Sequence, residues 1–218
     1  MSALARYFHA IGKNVAGYDR TPSSITKDLQ EIGVAVHFED DEKLIPEAFK
    51  NKENTLVVFT PAVPKTHTEL NYFQDNKFEV QKRAQVLGLI TADTFCFAVA
   101  GTHGKTTTSS ILGHLLKECN ANMTAFLGGI TENYHSNLIL NGSDISVVEA
   151  DEFDRSFLQL FPDVACITSM DADHLDIYGK AEELEKSFKA FSDRLSDGSK
   201  LFVKSGLPLA GVTYGYED

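Results

Sequence analysis

The apolar positions of this chain alternate between two periods, one of about four residues and one of short unbroken runs. Residues 2–11 place Leu4, Tyr7, Phe8 and Ile11 on one stripe with Gly12 behind them, which predicts an opening helix. A short strand comes next near 14–17, ending about Asp19, then a helix over 24–32 stopped by Gly33 and a strand over 34–38. After an acidic stretch and a short helix come a strand at 55–59 that stops at Thr60-Pro61, a helix at 68–74, a strand at 78–80 and a helix at 82–87. This alternation predicts a doubly wound parallel sheet, a Rossmann-like domain over residues 1–90. Such a unit normally opens with a strand and a glycine-rich turn, whereas this chain opens with the helix that should come after them. The first strand and turn are therefore expected to be missing.

A second α/β domain, a parallel-sheet domain with a phosphate loop, is predicted over 91–218. Residues 95–100 are an uninterrupted apolar run, as in a strand covered on both faces. The run breaks at Gly101, and a helix succeeds it whose apolar positions Ile111, Leu112, Leu115 and Leu116 lie on one face. Another strand is expected at 124–127. From Gly128-Gly129 to residue 142 the pattern reads as irregular, bringing Asn133, Tyr134, His135 and Asn137 close together, either against a polar substrate or on a surface loop. Buried strands are expected at 145–150 and 164–168, and a helix over about 181–195.

Chemistry gathers at the ends of these strands. A glycine turn between a buried strand and a helix leaves N–H groups facing an anion, Lys105 adds a point charge, and the Thr106 hydroxyl suits a magnesium ion. Glu149 lies inside the apolar run 145–150, where an ionised side chain needs a partner. Asp151, Glu152 and Asp154 come directly after it, at the ligand crevice or simply in the first turn of a helix. The third strand leads into Asp171, Asp173, His174 and Asp176. A hard cation bridging phosphates takes oxygen ligands and accepts a nitrogen, so magnesium-nucleotide is the economical reading. In the first domain, Asp19 ends the strand whose acidic residue commonly meets a ribose hydroxyl, or is a solvated loop carboxylate.

Composition narrows the classes. Thirty-one acidic against twenty basic residues, a net charge of -11, argue against a general nucleic-acid binder. Cys96, Cys119 and Cys166 are widely spaced and form no CxxC pair, so they read as reduced core residues of a cytoplasmic protein. No apolar run reaches the ~20 residues of a membrane span, and no leader pattern precedes the first helix.

Three motifs, GTHGKTTT at 101–108, EADEFD at 149–154 and DHLDIY at 173–178, resemble in order and spacing those of the Mur ligases, ATP-dependent amide-forming enzymes of peptidoglycan synthesis. Residues 1–19 also resemble the segment just after the first glycine-rich turn in the branch that joins L-alanine to UDP-N-acetylmuramate. The resemblance implies ATP and Mg2+, with Gly101, Thr102, His103, Gly104, Lys105, Thr106 and Thr107 around the phosphates. It implies Thr106 and Glu149 for magnesium and His174 for a second magnesium near the forming acyl phosphate. UDP would lie in the first domain, with Asp19 and Thr60 as candidate contacts, while Asn133 and Asn137 are candidates for the polar substrate. Some relatives carry a carbamylated lysine at a similar distance after the histidine, but Lys189 reads as a surface residue. By the same resemblance the chain stops before the end of the central domain and before a carboxy-terminal domain that supplies amino-acid contacts. The alternatives are a recycling ligase that joins a stem tripeptide to the same sugar nucleotide, and a nucleotide-binding module without ligase activity.

Overall fold

A computed structural model describes residues 1–171, 181–195 and 200–216. Contacts group the chain into two units, Met1–Val86 and Leu87–Asp218.

The first unit runs α1 (Ser2–Ala10), β1 (Ala16–Tyr18), α2 (Ser24–Glu31), β2 (Ala35–His37), two 3₁₀ turns, β3 (Leu56–Phe59), α3 (Thr68–Asp75) and β4 (Glu79–Lys82), and the chain leaves it within α4 (Arg83–Ala92). Helix α2 starts where Ser23 and Thr26 exchange side-chain and backbone hydrogen bonds in a capping box. Leu4 and Leu29 are buried, and Arg6 reaches Asp28 at 3.3 Å. The strands pair two by two, β1 with β2 and β3 with β4, both parallel. The single parallel sheet expected for residues 1–90 is thus present as two parallel pairs. A cavity of about 730 Å³ is lined by β1 and β3 together with Asp19, His37, Thr60 and His67.

The second unit is built on a seven-stranded sheet in the order β11-β10-β9-β5-β8-β6-β7. Its elements are β5 (Phe95–Ala100), α5 (Lys105–Glu118), β6 (Met123–Thr131), β7 (Ser136–Leu140), β8 (Ile145–Ala150), a 3₁₀ stretch (Phe153–Gln159), β9 (Val164–Ile167), α6 (Ala181–Ser192), β10 (Lys200–Lys204) and β11 (Val212–Tyr214). All pairings are parallel except β6 with β7. β5 lies between β8 and β9, which explains its unbroken apolar run: Cys96, Ala98, Val99 and Ala100 are all buried.

Met123, Ala125, Leu127, Ile139 and Val147 form one core cluster, with Leu112 and Leu116 of α5 packed against it. The helical stripe expected on α5 is narrower than the sequence indicates, because Ile111 and Leu115 are 56% and 55% exposed. Gly113, not a large side chain, meets the sheet there: a Cβ would stand 3.0 Å from that of Ala125. A second cluster joins the 3₁₀ stretch to α6, where the ring of Phe157 stacks on Phe191 at 4.9 Å and meets Phe188 edge-on at 5.4 Å. The segment read as irregular after Gly128 is a hairpin. β6 continues through both glycines to Thr131, and β7 returns antiparallel with Leu138 and Ile139 buried. The three cysteines are free, but of the three expected in the core only Cys96 is buried: Cys166 is half-buried, and Cys119, just past the end of α5, is exposed. Burial pushes the Cys96 thiol up to about 12. Among the described residues no helix is long and apolar enough to cross a membrane.

Candidate functional site

The site is assembled from three neighbouring strand ends. β5 ends in Gly101, whose φ of +131° only glycine adopts readily, and Gly104 at φ +83° turns the chain into α5. Residues after β9 brace the loop between them. The Thr168 hydroxyl lies within hydrogen-bond reach of the carbonyls of Ala100 and His103 and donates to one of them at a time, the Ser169 hydroxyl accepts from His103 N–H at 2.7 Å, and Thr102 Oγ1 lies 2.9 Å from Ser169 Oγ. The fit is close: a Cβ on Gly101 would overlap Thr168 Oγ1 and stand 2.8 Å from the Ser169 nitrogen. Helix α5 has no side-chain cap, so the N–H groups of its first turn, including Thr106 and Thr107, open toward the loop. His103 and Thr107 are exposed there.

Glu149 stands beside Val99 in the β5–β8 register. Its carboxylate accepts from the Thr106 hydroxyl at 3.0 Å, the Ser109 hydroxyl at 3.3 Å and the Gly128 N–H at 2.5 Å. Gly128 is required by proximity, since a side chain there would collide with this carboxylate. The partner that an ionised residue in an apolar strand demands is therefore a set of hydroxyls and an amide. Lys105 sits deeper. Its Nζ donates to Gly101 O at 2.6 Å and to both oxygens of Glu152, at 3.0 and 2.9 Å. Glu152 is fully buried at the N-cap of the 3₁₀ stretch, and Asp154 lies in that stretch's first turn, so the acidic run does stand at a helix start, with Glu152 turned away from solvent. The backbone after it is a 3₁₀ stretch interrupted by Asp154 and Arg155, both left-handed.

The donor set suits the phosphates of a nucleotide with a hard divalent cation. An uncapped helix start and left-handed glycines offer backbone N–H groups, Lys105 an ammonium, and Thr106 with Glu149 two oxygen ligands on one spot. Among the described residues no group of three or more His, Cys, Asp or Glu side chains is placed to hold a metal ion. His174 falls outside the described residues. Asp171 is described, with its N–H donating to Thr102 Oγ1 at 3.1 Å and its carboxylate 3.7 Å from the exposed His103 ring.

The other sequence-predicted residues divide. Asp19 and Thr60 line the same 730 Å³ cavity of the first unit. Asn133 is exposed in the turn between β6 and β7, whereas Asn137 is buried in β7. Lys189 is exposed on α6. Sequence reasoning did not single out Glu152, Thr168, Ser169 or Gly128. Four carboxylates within residues 149–154 carry no local signal that Glu152 among them turns inward, although the lone lysine of the loop implies a counter-charge.

A buried parallel strand, a braced glycine loop and an uncapped helix, with a carboxylate from the adjoining strand, define a phosphate-loop domain of the α/β class. The match to protein families gives the narrower placement: residues 99–209 match the Mur ligase middle domain and residues 1–94 the Mur ligase family catalytic domain. The chain belongs to the Mur ligase family. It is 64% identical over all of its 218 residues to a UDP-N-acetylmuramate--L-alanine ligase of Flavobacterium psychrophilum, and 57% identical over 95% of its length to the protein of that name from Parabacteroides distasonis. It covers 48% and 45% of those proteins, so the chain spans about half the length of the curated relatives it matches. Among solved structures, a UDP-N-acetylmuramate-alanine ligase from Thermotoga maritima superposes with a TM-score of 0.82 at 26% identity, over 94% of this chain and 46% of that one. A UDP-N-acetylmuramate:L-alanyl-gamma-D-glutamyl-meso-diaminopimelate ligase from Neisseria meningitides shares the fold, with a TM-score of 0.85 at 22% identity over 95% of this chain and 68% of that one.

Proposed function

We propose that this chain carries the sugar-nucleotide and ATP sites of a cytoplasmic UDP-N-acetylmuramate L-alanine ligase. The observation that carries the reading is the meeting of the Thr106 hydroxyl and the Glu149 carboxylate, 3.0 Å apart, beside Lys105 at the open start of α5. The 64% identity to the curated L-alanine ligase supports the choice of reaction. Carboxylates are poor acyl donors. Transfer of the ATP γ-phosphoryl group to the muramate carboxylate makes an acyl phosphate, and the amine of L-alanine then displaces phosphate to form the amide. Such a reaction asks the protein mainly for alignment and charge neutralisation. Lys105 and the loop from Gly101 to Thr107 hold the phosphates, while Thr106 and Glu149 hold Mg2+. His174 serves a second Mg2+, and the cavity bearing Asp19 and Thr60 takes the UDP moiety. Asn133 and Asn137 are the candidates for the remaining polar contacts, Asn137 only if its strand yields.

The test is ADP release by a chimera in which this chain replaces the matched segment of the Flavobacterium psychrophilum relative. Turnover with UDP-N-acetylmuramate and L-alanine is expected. A folded chimera that releases no ADP with these substrates would leave only a nucleotide-binding module.

A further inference from the structure

Lys105 is already engaged in this structure. Its ammonium lies against both carboxylate oxygens of Glu152, at 3.0 and 2.9 Å, and donates to the Gly101 carbonyl at 2.6 Å. The lysine side chain is 16% exposed and the Glu152 side chain 0%. Buried ion pairs are seldom retained for stability alone, since well-packed apolar residues serve as well. The backbone around Glu152 is also costly to hold. Asp154 (φ 51°, ψ 24°) and Arg155 (φ 55°, ψ 29°) are successive non-glycine residues in the left-handed region, which L-residues disfavour. Two hydrogen bonds close the turn they make, Arg155 N–H to Glu152 O and Phe157 N–H to Asp151 O, both 2.9 Å. The fully buried Phe157 anchors it. The strained turn delivers a buried carboxylate against the single lysine of the loop, and also brings the exposed Arg155 within 3.8 Å of Glu183.

We propose that Glu152 is a positioning residue that acts as the loop's internal counter-anion: it occupies Lys105 until a nucleotide arrives with its own cation. The proposal rests on the ATP reading of the loop. With Glu152 neutralising Lys105 and Glu149 facing Thr106, a bare triphosphate meets a mouth of net negative side-chain charge. A cation held at Glu149 and Thr106 reverses that balance, so Lys105 exchanges part of Glu152 for phosphate only when the metal comes too. Selection of the metal complex over free nucleotide is then set within the loop.

Glu152→Gln keeps the shape and one acceptor while removing the charge. The experiment compares binding of N-methylanthraniloyl-ATP to the 218-residue chain and to this variant by fluorescence, in excess magnesium and in excess chelator. The expected result is a gain of about tenfold in chelator, with a much smaller change in magnesium, so that the ratio of the two affinities collapses. An unchanged ratio in a folded variant overturns the proposal. The parent chain supplies a second readout that needs no substitution. Raising salt should leave its metal-free affinity level or higher, and a fall of about tenfold would show an ammonium already facing the phosphates and overturn the proposal. Absence of any binding by the folded parent, with or without magnesium, would instead remove the ATP reading on which the proposal stands.

Discussion

Substituting Gly101 by alanine probes the brace between β5 and the strand end after β9. At φ +131° an alanine is strained by about 1–3 kcal/mol. Its Cβ would also overlap Thr168 Oγ1 and press on the Ser169 nitrogen at 2.8 Å and carbonyl at 3.1 Å. Thr168 has little room to retreat, because its hydroxyl is held between the carbonyls of Ala100, at 3.0 Å, and His103. Overpacking of a tight site adds about 1–3 kcal/mol, and a lost hydrogen bond about 1 kcal/mol. The sum, about 3–7 kcal/mol, is a large part of the ~5–15 kcal/mol that holds a typical domain. Urea unfolding followed by far-ultraviolet circular dichroism reads it as a lowered midpoint. Gly17→Ala is the control, since nothing lies within 4 Å of its Cβ and its φ is ordinary. A midpoint for Gly101→Ala that matches the control, or an alteration below about 0.5 kcal/mol, would refute the close approach of the loop to Thr168 and Ser169.

Two further substitutions test other parts of the structure. Phe157→Ala empties the space between Phe188 and Phe191 and should cost about 3–5 kcal/mol in urea unfolding; a loss below about 1 kcal/mol would show that the ring cluster does not hold α6 to the sheet. In the first unit, burial would raise the Asp40 carboxyl, but hydrogen bonds from the Thr68 hydroxyl and the Thr68 and Glu69 amides outweigh it and hold it below its usual value. A depressed folded-state value stabilises above the unfolded value of 3.8 and is lost as pH falls through the folded one. Asp40→Asn should therefore cost about 1 kcal/mol at neutral pH, and the gap to the parent should narrow as pH falls through 3.8 and below. A gap independent of pH would contradict the assignment.

What the sequence disclosed depended on how local each feature is. The strand, loop and helix from Phe95 to Glu118 are contiguous, and their glycine, lysine and threonine spacing carries its own geometry. Glu149 was legible because a carboxylate in an apolar run must be answered. The β6–β7 hairpin was not, since Gly128-Gly129 and the polar residues after them look like a loop. Those glycines belong to a strand pressed against Glu149 and Thr106, a contact invisible without the fold. Glu152 was hidden for a similar reason: its inward turn depends on left-handed backbone at Asp154 and Arg155, positions with no glycine to announce it. On α5, helical spacing alone could not separate Leu112 and Leu116, which pack, from Ile111 and Leu115, which do not. Strands β10 and β11, of five and three residues, are too short for alternation to distinguish them from loop.

Nucleotide binding by the loop is the central claim, and titration calorimetry of Mg-ATP into the 218-residue chain tests it most directly. The parent should bind one equivalent saturably. Lys105→Met should weaken binding by at least about a hundredfold, while the loss of the ammonium beside buried Glu152 lowers unfolding stability by about 3 kcal/mol. A folded parent that takes up no Mg-ATP, or a Lys105→Met variant that binds it as tightly as the parent, would contradict the account.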